Sequence, residues 1–119
     1  MFVGVLRVVL HLVGVGSLKG KRRIVKSTIE RARAKFNAAV AEVGDNDSLG
    51  SAVIAVAVVG NSASHVDSML GRIASFIEGH GLAPVASIAT EVIPFGEDLG
   101  MHLGDGDGLP GWDDDEEEI

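Results

Sequence analysis

Period-two alternation opens the chain. Phe2, Gly4, Leu6, Val8, Leu10 and Leu12 fall on one side of an extended segment, and Val3, Val5, Arg7, Val9 and His11 fall on the other. Alternation over so many β-branched residues predicts a strand buried on one face. Its second face is also largely apolar, as expected of a central strand or of one that meets a partner sheet. Gly14 and Gly16 break the pattern, and Ser17 stands where a helix N-cap belongs. From Leu18 to about Asn37 the apolar positions become Leu18, Val25, Ile29, Ala32 and Phe36. At about 100° per residue these share a narrow arc, the mark of an amphipathic helix.

Ala39 to Val43 reads as a short strand, Gly44 to Gly50 as a polar turn, and Ala52 to Val59 as an apolar β-rich run, which together predict a hairpin. Gly60-Asn61-Ser62 punctuates the chain. Val66, Met69, Leu70, Ile73, Phe76 and Ile77 then recur at helical spacing, and the helix stops at Gly79 and Gly81. Pro84 to Pro94 forms a last strand through Val85, Ile88, Val92 and Ile93. The order βαββαβ predicts an α+β, ferredoxin-like sandwich: an antiparallel sheet with both helices on one face.

Composition adds limits. A chain of 119 residues without cysteine holds one ordinary domain, with no disulfide framework, thiolate metal site or cysteine nucleophile. The net charge of −7 argues against a polyanion partner only until it is located. Residues 96–119 carry ten acidic side chains and no basic one, so residues 1–95 hold ten basic against seven acidic, a net of +3. The expected organisation is a domain at 1–95 followed by a disordered acidic Gly/Asp/Glu tail at 96–119, with Leu109-Pro110-Gly111-Trp112 as a short docking motif inside it. On a flexible tether such a tail is expected to compete in cis with any polyanion the domain binds. The apolar start lacks a positive leader region and contains Arg7, and no later apolar run approaches the 20 or so residues of a membrane helix. The expectation is a cytoplasmic protein without a membrane partner.

Candidate chemistry concentrates at the first helix. The loop Gly14-Val15-Gly16-Ser17-Leu18-Lys19-Gly20-Lys21-Arg22 lies between strand and helix, as phosphate loops do, but Lys19 replaces the third glycine of a dinucleotide fingerprint. Val15 and Arg22 depart from a Walker loop. What survives is a helix N-terminus surrounded by Lys19, Lys21, Arg22, Arg23 and Lys26, either a phosphate contact or simply a well-capped solvated turn. On the helix, Lys19, Arg22, Arg23, Lys26 and Arg33 share an arc of about 100° that only Glu30 interrupts. One-sided clustering of long cations is the footprint of phosphate-backbone binding, and its bland alternative is a solvated face. The first and third strands offer no pair of aromatic rings for base stacking.

For catalysis the chain offers little. His11, His65, His80 and His102 share no metal-ligand spacing, and His80 at a helix C-terminus reads as a structural cap. Asp45-Asn46-Asp47-Ser48-Leu49-Gly50 imitates an EF-hand opening, but Leu49 and Val56 stand where oxygen ligands are required, so it reads as a turn. No catalytic residue, cofactor or metal is expected.

The stretches VGVLRVVLHLVGVGSLKGKRRIVKSTIERARAKFNAAVAEVGDND and AVIAVAVVGNSASHVDSMLGRIASFIE resemble the small bacterial YlxP-like family, a domain of unknown function. The resemblance covers residues 2 to about 94 and is most specific at Ser17-Leu18-Lys19, Lys21-Arg22-Arg23, Phe36-Asn37, Ala41-Glu42-Val43 and Val58-Val59-Gly60-Asn61. Gly20 stands where the family commonly has Glu, and Leu49 where it usually has an aromatic; the tail lies outside the resemblance. It implies a ferredoxin-like fold, no known enzymatic activity, and genes placed among translation and ribosome-maturation factors. The combined expectation is a non-enzymatic domain that binds RNA or a ribosomal particle through Lys19, Lys21, Arg22, Arg23, Lys26 and Arg33. The alternative is a homodimer formed through the sheet, an interaction module without nucleic-acid binding.

Overall fold

Residues 1–96 are described by a computed structural model, and nearly all of the expected tail lies outside them. Six elements follow in the order β1 (Phe2–His11), α1 (Leu18–Lys35), β2 (Ala39–Gly44), β3 (Ser51–Gly60), α2 (Ala63–Gly79) and β4 (Val85–Pro94). All pairings are antiparallel, in the order β2-β3-β1-β4. Each helix therefore connects two strands separated by a third, the split βαβ arrangement of a ferredoxin-like sandwich.

The alternation in β1 sorts its side chains as expected. Leu6, Val8 and Leu10 are buried beneath the helices, together with Ala52, Ile54, Val56 and Val58 of β3 and Val40 of β2. Val25 and Ala32 of α1, and Val66, Leu70, Ile73 and Ile77 of α2, close the other side of this core. Register places Val3, Val5, Arg7 and Val9 of β1 beside Val59, Ala57, Ala55 and Val53 of β3. They also lie beside Ile93, Glu91, Ala89 and Ser87 of β4. Among the described residues, no helix lies on this second face.

Two glycines set how closely α2 approaches the sheet. A Cβ on Gly4 would lie 2.4 Å from Val66 Cγ1, and one on Gly60 would lie 2.9 Å from Val66 Cγ2. Val66 is thus seated between two positions that must lack side chains. At the far end of α2, Gly81 takes φ +54, the left-handed conformation by which a chain leaves a helix after its C-cap, here His80.

Both helices begin on serine caps. Ser17 Oγ accepts from the Gly20 amide at 3.1 Å, and Ser62 Oγ accepts from the His65 amide at 3.3 Å. Ser17→Ala is expected to cost about 1 kcal/mol in chemical denaturation; a change within about 0.2 kcal/mol would show that the cap is replaced by water.

Candidate nucleic-acid interface on α1

Helical spacing divides α1 into two faces. Val25, Thr28, Ala32 and Lys21 project to one side, and all four are buried. Lys19, Arg22, Arg23, Lys26 and Arg33 project from the opposite arc and are exposed, with Glu30 among them. Lys26 and Glu30 approach to 4.0 Å, but their side chains are 77% and 61% exposed. Such a pair is screened by solvent, so the cation remains available to a stronger anion.

Lys21 does not belong to this surface, which corrects the sequence expectation. It is 2% exposed. Its Nζ donates to the Asp45 carbonyl and, at 2.6 Å, to the Ser48 carbonyl, and it lies 3.6 Å from Glu42 Oε2. A buried ammonium is tolerated when carbonyls and a counter-charge replace its water, as they do here. Lys21 is therefore a brace between α1 and the turn joining β2 to β3, out of reach of a phosphate group. Glu42, its counter-charge, was not singled out in the sequence. It stands opposite Ile54 and shares the inward side of β2 with Val40. An acid on the inward side of a strand and a lysine bordering a helix's apolar arc were the available signals.

Arg33 is held in place. Its Nη2 donates to the Val40 carbonyl at 2.5 Å, tying the guanidinium to an edge strand. Arg22, Lys26 and Arg33 together line a shallow groove between α1 and β2, whose apolar part is Val25, Ile29 and Ala41; Glu30 and Glu42 also line it. Lys19 and Arg23 lie outside that groove, on the exposed ridge of the helix. In the turn before α1 the Ser17 hydroxyl occupies the amide of Gly20, and the cationic side chains of Lys19, Arg22 and Arg23 stand exposed around it.

The other candidates lie in the β2–β3 turn and at the end of α2. Asp45-Asn46-Asp47-Ser48 forms a turn closed by Ser48 N to Asp45 O at 3.0 Å. Asp45 has φ 58, and Ser51 Oγ donates to its carboxylate at 2.7 Å. His80 caps α2, with Nδ1 3.1 Å from the Phe76 carbonyl and its ring centroid 4.0 Å from that of Phe76. Among the described residues no group of three His, Asp or Glu side chains converges to hold a metal ion, and no helix is long and apolar enough to cross a membrane. Lys35 lies over the rings of Phe36 and Phe76, 5.9 and 5.6 Å from their centroids, and helps to hold the end of α1 against α2.

Comparison with known proteins agrees with this architecture. A de novo designed protein with ferredoxin fold superimposes with a TM-score of 0.50 at 19% identity, covering 82% of this chain and 89% of the design. Likeness at that identity speaks for the fold alone. The uncharacterized protein YlxP of Bacillus subtilis (strain 168) is 33% identical over 63 residues, which is 53% of this chain and 68% of that protein. The profile of the family described as "Protein of unknown function (DUF503)" matches residues 3–90. With its βαββαβ sandwich and its match over most of its length, the chain belongs to the DUF503 family.

Proposed function

We propose that this chain is a non-catalytic binding domain that holds the phosphate backbone of structured RNA, such as that of a ribosomal particle, against the exposed face of α1. The observation that carries this reading is the exposed arc of Lys19, Arg22, Arg23, Lys26 and Arg33, with Glu30 as its lone acid. Backbone contacts of this kind give affinity and register without reading bases. That agrees with the open sheet face, where β1 contributes one ring, His11, and β3 none, so no pair of rings is set side by side for base stacking. Lys21 has no part in the interface.

The test is binding of structured RNA to the full chain across a salt series. About four phosphate contacts give a log–log salt slope near −3 to −4. Arg22→Ala with Arg23→Ala is expected to weaken binding about tenfold or more and to flatten that slope by about two. Absence of binding at low salt, or affinity indifferent to both substitutions, overturns the reading. Self-association through the sheet is a second reading, and it uses the open sheet face, which Arg33 borders at the β2 edge.

A further inference from the structure

The open face of the sheet is largely aliphatic. Val5, Val9, Ala55, Ala57 and Ala89 surround Arg7, Glu91 lies on the same face, His11 and Ser87 stand toward one end of it, and Arg33 reaches its β2 edge. Arg7 is flanked by Ala55 on β3 and Ala89 on β4, and both Arg7 and Glu91 are exposed. Glu91 stands opposite Val5, so the two charges are diagonal neighbours. They nevertheless form no ion pair with each other; the pairs found among the described residues are Lys21–Glu42 and Lys26–Glu30. Contiguous apolar side chains on a sheet face, unlike singly scattered ones, are the material of interaction surfaces.

We infer that this face packs against the same face of a second copy of the chain, with Arg7 of each copy paired to Glu91 of the partner subunit. The inference goes beyond RNA binding and does not depend on it. A two-fold interface requires a self-complementary surface, in which residue i meets j and j meets i. One cation and one anion set off-centre in an aliphatic field meet that condition. A lone Arg7 covered by any apolar partner would be a buried unpaired charge, whereas a second copy brings the counter-charge with it. The size also fits. Four strands, three of them ten residues long, span roughly 19 Å by 30 Å, about 600 Å² in projection. A standard interface takes about 800 Å² of accessible surface from each partner.

The diagonal placement also sets the packing angle. A two-fold axis lying between the sheets must bisect the line from Arg7 to Glu91, which runs obliquely across β1 and β4. The strands of the two sheets then cross at near right angles, one of the two arrangements packed sheets adopt. Val5 and Ala89 fall close to that axis, where small side chains meet their own copies.

Sedimentation equilibrium of the full chain, from about 1 to 100 µM, reads the outcome directly. The wild type is expected as a dimer at the upper end. Arg7→Glu and Glu91→Arg should each weaken association about tenfold or more, and the two combined should return it to within about threefold of wild type. Both positions are exposed, so the monomer fold tolerates the exchange, which its melting transition verifies. A monomer throughout, a dimer indifferent to the single reversals, or a combined variant no better than either single one overturns the inference.

Discussion

Lys21→Met is expected to lower the stability of the fold by about 3 kcal/mol, read from urea denaturation. Methionine keeps the length and most of the volume, so packing changes little. What is lost is the ammonium that the Asp45 and Ser48 carbonyls accept from and that faces Glu42. Glu42 Oε2 is buried and has no hydrogen-bond partner among the described residues, so its nearest compensation is the Lys21 charge at 3.6 Å. Removing that charge strands a carboxylate whose side chain is 22% exposed. The turn also loses the group that holds its two carbonyls inward. Adding Glu42→Leu to Lys21→Met is expected to recover about half of the loss, because it removes the stranded charge but not the orphaned carbonyls. A loss below about 1 kcal/mol for Lys21→Met would mean that the turn swings out and hydrates without resistance.

Gly4→Ala is expected to cost about 3 kcal/mol by overpacking, at the upper end of what a single added methyl usually does. The new Cβ would sit 2.4 Å from Val66 Cγ1, 3.0 Å from Leu70 Cδ1 and 3.1 Å from Val58 Cγ2. All three neighbours are buried, and Val66 is pinned from the other side by Gly60, so no side chain can swing into solvent. Relief requires α2 to lift away from β1, which would open the core around Leu6 and Leu70. Val66→Ala opens space on its own account and is destabilising alone, but combined with Gly4→Ala it should cost less than the sum of the two. A thermal shift of Gly4→Ala smaller than about 2 °C, or strict additivity in the double mutant, would show that the approach is looser than the distances imply.

The two predictions differ in how readable they were. Gly4 lies on the inward side of an alternating strand, and nothing local distinguishes it from a weak strand residue until Val66, far along the chain, is brought against it. Lys21 was half legible. At about 100° per residue it falls between Thr28 and Ala32, at the edge of the apolar arc, which already points it inward. Its placement among the surface cations came from weighing charge along the sequence rather than direction around the helix. Its partners lie 24 and 27 residues away, and no short-range pattern names them. Glu42 falls on the inward side of β2 with Val40, but its partner Lys21 lies on another element and no local pattern names it.

By itself the sequence determined the six elements, their kind and an exposed basic arc on α1, because period two, period 3.6 and turn chemistry are carried by residues a few positions apart. Tertiary structure alone decided the strand order, the burial of Lys21 against the β2–β3 turn, the tie from Arg33 to Val40, and the coexistence of Arg7 and Glu91 on one uncovered face. Those depend on which distant segments pair, and pairing is settled by the packing of the whole core rather than by any local stretch of chain.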